Sequence, residues 1–139
     1  MNALITISGI QGVPGDTPDA IELLTDGIYC RTENGFELRY HESELTGLQG
    51  TETSVAINSD EIIVTRRGVL NSQMVFRQGE KSSFLYDTPF GSATLGIETR
   101  KINAAMDDFG GELSIDYVLD MEHAVVTKNM LKMKVQPKS

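Results

Sequence analysis

The sequence predicts an all-β fold: one domain over residues 1–139, built as a single antiparallel β-barrel. Three observations carry that reading. Apolar residues recur with period two rather than 3.6. Turn residues interrupt the alternation at short intervals. No segment has a convincing helical period, and residues 100–109 hold one short helical turn at most.

The elements follow in order. Two β-like runs, 2–11 and 18–33, open the chain, and Asn34-Gly35 then marks a two-residue hairpin, because type I′ turns need positive φ at both central positions. In F-E-L-R-Y-H-E the residues Phe36, Leu38 and Tyr40 share one face, while Glu37, Arg39 and His41 share the other, giving a strand at 36–43. Strands at 51–58 and 61–67 flank Asn58-Ser59-Asp60. Strands at 73–78 and 82–88 flank Gln78-Gly79-Glu80. In A-T-L-G-I-E-T-R, Ala93, Leu95, Ile97 and Thr99 alternate with polar residues within 92–102. The cluster D-D-F-G-G, 107–111, turns the chain into 112–122, where Leu113, Ile115, Tyr117, Leu119 and Met121 share a face. Leu131, Met133 and Val135 do the same in 125–135. One wet and one dry face per strand is the pattern of antiparallel strands around one core. About ten strands joined by tight hairpins have edges to dispose of, and closing into an up-and-down barrel is the simplest solution. A two-sheet sandwich is the alternative.

Composition narrows the function. The net charge is −8 and the only cysteine is Cys30. An acidic chain repels phosphate backbones, so nucleic acid is not an expected partner. Lys128, Lys132, Lys134 and Lys138 read as one solvated strand face. A lone cysteine excludes an internal disulfide and fits a reducing compartment. With no basic n-region, no continuous apolar leader and no membrane-length apolar run, the expected setting is the cytoplasm, away from the membrane.

Several short motifs occur in a telling order: Y-H-E, G-T-E-T, R-R-G, M-V-F, Y-D-T-P-F-G and G-G-E-L-S-I-D-Y. Over about residues 2–135 their order and spacing resemble a small bacterial family typified by YwiB, described as calycin-like barrels of the lipocalin superfamily with no assigned function. The resemblance implies a closed or nearly closed barrel of eight to ten strands and brings no active-site residues with it. The Gly-x-Trp of true lipocalins has no counterpart here, since the chain has no tryptophan.

Tracking alternation through each hairpin places side chains along the barrel. If the end where 36–43 finishes is the top, then Glu42, Thr51, Arg66 and Thr88 fall at the top of the inward face. Tyr40, Thr53 and Tyr86 lie one step deeper, and Met74 and Tyr117 belong to the same interior. Phe36, Ile57, Ile62, Phe76 and Phe84 fill the apolar bottom. Two readings of the polar end compete. Glu42 and Arg66 form a partly buried pair that plugs the barrel. Alternatively, Arg66 faces a pocket and holds an anionic group, with Tyr40 and Tyr86 beside it.

Catalytic constellations are missing. His41 falls on the wet face and His123 near a turn. Neither has a second ligand at metal spacing, and no nucleophile elbow, phosphate loop or cofactor fingerprint is present. No catalytic residue, metal or cofactor is therefore expected. In Y-D-T-P-F-G, Asp87 faces away from Tyr86 and Thr88, which separates an apparent acid–tyrosine dyad. Ile63, Val75, Leu85, Val118 and Val126 are apolar positions on the outward face. The expected function is a non-catalytic barrel binding a small ligand at its polar end, either apolar or amphiphilic, with or without an anionic group. The alternative is a structural or protein-interaction module, a homodimer with a filled core.

Overall fold

Ten antiparallel strands make one sheet in the computed structural model, which describes residues 1–13, 15, 17–44, 48–121 and 124–138 and, of Val125 and Val126, the backbone alone. They are β1 (Asn2–Gly12), β2 (Asp19–Arg31), β3 (Gly35–His41), β4 (Glu52–Asn58), β5 (Ile62–Arg67), β6 (Ser72–Phe76), β7 (Lys81–Thr88), β8 (Gly91–Asp107), β9 (Gly110–Met121) and β10 (Ala124–Pro137). Their order across the sheet is β6-β5-β4-β3-β2-β1-β10-β9-β8-β7. Every ladder except β1–β10 joins strands consecutive in sequence. The two outermost strands, β6 and β7, are also consecutive, so the sheet curls into a nearly closed barrel rather than a sandwich.

The closing seam is thin. At one end Asn71 and Asp87 exchange both backbone hydrogen bonds, at 2.9 and 3.0 Å. At the other, the turn between β6 and β7 bonds to β8 through Gly79 N–H to Thr99 O (2.8 Å) and Thr99 N–H to Glu80 O (3.1 Å). Between them no ladder forms, and the Ser82 hydroxyl donates to Val75 O at 3.1 Å instead.

Period two translates into layers of side chains stacked along the barrel. On β3–β6 the registers align Phe36–Ile57–Ile62–Phe76, then Leu38–Val55–Val64–Met74, then Tyr40–Thr53–Arg66–Ser72. Across the barrel, Ile7–Met133–Leu113 and Gly9–Leu131–Ile115 continue the apolar interior. Ile5, Leu38, Val55 and Ile115 are fully buried in this core. Truncating any of them to alanine or its nearest equivalent removes transfer energy and opens a cavity, a loss of about 2–5 kcal/mol for a leucine or isoleucine.

Three elements differ from the sequence reading. The strand expected at 92–102 is longer: β8 runs on as strand to Asp107. It does so by way of a bulge, a register shift between Thr99 and Lys101 that leaves Arg100 unpaired. The extra residue moves the inward set from Ile97 and Thr99 to Ile102 and Met106, which both pack on the core. The hairpin between β2 and β3 is where Asn34-Gly35 predicts it, but Arg31 pairs with Phe36, so Glu33 and Asn34 are the central residues. Gly35 opens β3 without a positive φ. Its need for a missing Cβ comes from packing, because that atom would lie 2.0 Å from the Ile57 carbonyl oxygen. Finally, the outward apolar positions do not share one environment. Ile63 and Val75 are half-buried partners, Leu85 is exposed, Val118 is buried, and the Val126 side chain lies outside the described atoms.

A second cluster, unforeseen from the sequence, ties the apolar end shut. Tyr29 stacks on Phe36 with ring centroids 5.4 Å apart and donates its hydroxyl to Asp107 O at 2.7 Å. Arg31 covers the other part of Phe36 at 5.1 Å and pairs with Asp108 at 2.6 Å. The β2–β3 and β8–β9 hairpins are thus joined across the barrel mouth. Burial, and then the Asp107 and Asp108 charges, push the Tyr29 hydroxyl up to about 12.

Candidate binding site at the polar end of the barrel

The cross-strand row Tyr40–Thr53–Arg66–Ser72 forms the floor of the polar end. Period two delivers these side chains to the interior, and three hairpins align them. Above them Glu42 has left β3, yet its N–H still donates to Thr51 O at 2.8 Å, which keeps its side chain over the row. Thr51 accepts the Leu70 N–H through Oγ1 at 3.4 Å and so anchors the connection between β5 and β6. Glu42, Thr51, Thr53, Tyr40, Ser72 and Met74 are all buried.

The carboxylate and the guanidinium have different partners. Thr53 Oγ1 donates to Glu42 Oε1 at 2.7 Å. Burial raises the Tyr40 hydroxyl pKa well above the ordinary tyrosine value, the nearby Glu42 charge raises it further, and Arg66 opposes. Among the described residues Arg66 has no ion pair. Its Nη1 donates to the Met74 sulfur at 3.8 Å, a weak acceptor. Its Nε is buried with no partner, and so is Oγ of Ser72, the residue directly opposite in the β5–β6 ladder. On the far wall Tyr117 packs edge-on against Phe76 with centroids 4.8 Å apart. Burial raises its hydroxyl pKa, and Arg66 pulls it down, which places the guanidinium within electrostatic reach of both tyrosines.

Of the residues expected at this end, Tyr40, Glu42, Thr51, Thr53, Arg66 and Met74 come together, whereas Tyr117 packs on Phe76 of the apolar row. Tyr86 and Thr88 do not take part. Tyr86 lies opposite Ala93, a side chain too small to cover its ring, and is 38 % exposed. Thr88 Oγ1 donates to Gly91 O at 2.9 Å and accepts the Phe90 N–H at 3.2 Å, so it holds its own corner. Asp87 does face elsewhere, accepting from Ser92 at 2.7 Å. Ser72 lies one residue before the strand expected at 73–78, and its parity with Met74 and Phe76 is the signal that it points inward.

No group of three His, Cys, Asp or Glu that could hold a metal occurs among the described residues. His41 is exposed near Glu52, Cys30 is free and half-buried, and His123 lies outside the described residues. What the polar end holds is a guanidinium whose Nε is buried without a hydrogen-bond partner, beside the equally unpartnered Ser72 hydroxyl.

Comparison with known proteins fits this architecture. The uncharacterized β-barrel protein YwiB of Bacillus subtilis (strain 168) is 29 % identical over 99 residues, 71 % of this chain and 68 % of that one. A crystal structure of ywiB protein from Bacillus subtilis has the same fold, with a TM-score of 0.88 and 22 % identity, covering 99 % of this chain and 92 % of that one. The resemblance drawn from the short motifs is borne out. The model of a domain of unknown function, DUF1934, matches residues 5–133, and the chain belongs to that family.

Proposed function

We propose that this β-barrel binds a small anion, a carboxylate or phosphate group, at its polar end, with Arg66 as the principal ligand and Ser72 beside it. The observation that carries the reading is the pair of buried, unpartnered groups, Arg66 Nε and Ser72 Oγ, facing each other in one ladder. Buried donors without partners are uncommon in native proteins and each costs about 1–3 kcal/mol. An anion seated there satisfies both and neutralises the guanidinium. Tyr40 lies in the same cross-strand row with its hydroxyl kept protonated by burial. The apolar half below is occupied by Leu38, Val55, Val64 and Phe76, so the site selects for the charged group rather than for a long tail.

The test is calorimetric titration with inorganic phosphate and with acetate, hexanoate and octanoate, on the protein and on Arg66→Met. Arg66→Met is expected to abolish binding while changing stability by no more than about 1 kcal/mol, because the guanidinium has no charged partner to leave behind. A loss of about 3–5 kcal/mol would instead reveal a buried ion pair, the plug reading, and would overturn the proposal.

A further inference from the structure

We infer that the first half of β2, Asp19–Asp26, is a β-augmentation edge that receives an extended, basic segment of a partner protein. The strand is fully paired on one side only. β1 runs along it from Asn2↔Ile28 to Gln11↔Asp19, whereas β3 pairs only with Ile28–Arg31. Where β3 departs, a notch of about 260 Å³ opens between Asp26, Gly27 and Ile28 on one side and Arg39, Tyr40 and His41 on the other. Gly27 fixes the point of departure. A Cβ there would lie 2.6 Å from the Arg39 carbonyl oxygen and 2.4 Å from Ile5 Cδ1.

The open groups can be named. Met1 and Tyr29 exchange both backbone bonds, so odd-numbered residues of β2 face β1. By alternation the N–H and C=O of Ala20, Glu22, Leu24 and Asp26 face the free edge. Their one hydrogen bond among the described residues is a long one, from the Thr25 hydroxyl to Asp26 O at 3.4 Å. Exposed edges of this length are normally blunted by lysine, proline or a bulge. Asp19–Asp26 has none of these: the register to β1 is unbroken, and Ile21 and Leu24 are 47 % and 61 % exposed.

Charge selects the occupant. Every charge on the segment is negative: Asp19, Glu22 and Asp26. Among the described residues only Asp26 has a cation, Lys138 at 2.9 Å. A second copy would bring the same acidic row against itself, in a chain already at −8. A partner strand with Lys or Arg opposite Glu22 and an apolar residue opposite Leu24 meets both demands on the outward face. Main-chain bonds along eight residues, about 26 Å, supply the rest.

A fluorescein-labelled eight-residue peptide of alternating valine and lysine is the probe, with alternating valine and glutamate as control. The expected result is saturable binding of the basic peptide alone, weakened by salt, with new hydrogen-exchange protection at the Glu22 and Leu24 amides. Leu24→Pro removes an N–H that the β1 ladder does not use and is expected to abolish binding. Glu22→Lys keeps the test alive should Leu24→Pro fail to fold, and is expected to weaken binding about fivefold. Equal binding of both peptides, no binding, or protection elsewhere overturns the inference. So does a concentration-dependent dimer that Leu24→Pro dissolves, since the occupant would then be a second copy.

Discussion

Thr53→Val is the most direct probe of how the polar end holds its carboxylate. Thr53 is completely buried, and the exchange of hydroxyl for methyl conserves shape, so no cavity term enters. What disappears is a donor 2.7 Å from Glu42 Oε1. Hydrogen bonds to charged groups contribute about 1.5–3 kcal/mol, and burying a methyl in place of a hydroxyl returns part of that. The expected loss is therefore about 1–2 kcal/mol, or roughly 3–8 °C in melting temperature for a chain of this size. Urea unfolding measures it, with an unchanged m value showing that the native and unfolded states are otherwise alike. Thr53→Ser keeps the donor and serves as the control for the methyl. If Thr53→Val unfolds at the wild-type midpoint, the hydroxyl does not hold Glu42, and the division of labour between Thr53 and Arg66 is wrong.

Two further outcomes follow from features away from that layer. Because Tyr29 titrates at about 12 in the folded state against 10.0 ordinarily, its contribution is fully present below pH 10 and is lost as pH rises from 10 to about 12. Tyr29→Phe is expected to flatten the alkaline fall of unfolding free energy in that window, and to cost about 1 kcal/mol at neutral pH through loss of the bond to Asp107 O. An unchanged alkaline slope would count against the Tyr29–Asp107 contact. At the seam, the amides of Gln73, Val75, Ser83 and Leu85 face a gap without ladder bonds, so hydrogen exchange should find them much faster than their neighbours bonded to β5 and β8. Uniform protection across β6 and β7 would mean that the barrel is closed by a full ladder.

The layers were legible because period two is a rigid rule. Once each hairpin reverses the chain, Tyr40, Thr53 and Arg66 must share a row, and they do. The rule fails where the chain departs from it. Nothing in G-I-E-T-R-K announces that Arg100 is an extra residue, and the expected strand stops at 102 where β8 continues to Asp107. Tyr86 shows a second limit: alternation says which face a side chain takes, not whether its neighbour is large enough to cover it. The pairing at the polar end was the least legible. Glu42 and Arg66 were correctly placed at one end, but which donor reaches a carboxylate first is decided by ångströms, and Thr53 was closer. The Tyr29–Asp107 contact joins residues 78 positions apart, beyond the reach of any local pattern.

The strand order has a consequence for how the chain assembles. Every ladder joins sequence neighbours except the one between β1 and β10, and Lys138 N–H still reaches Asn2 O there at 3.0 Å. The sheet is therefore a ring in connectivity whose covalent gap and whose hydrogen-bond gap lie in different places. The chain is cut between two strands that pair along ten residues, and it is continuous between the two that scarcely pair. Folding must close its longest loop to form one of its most extensive ladders, while two strands joined by a short turn stay its loosest joint. Rejoining β10 to β1 and cutting the turn between β6 and β7 would turn the same barrel into an uninterrupted meander.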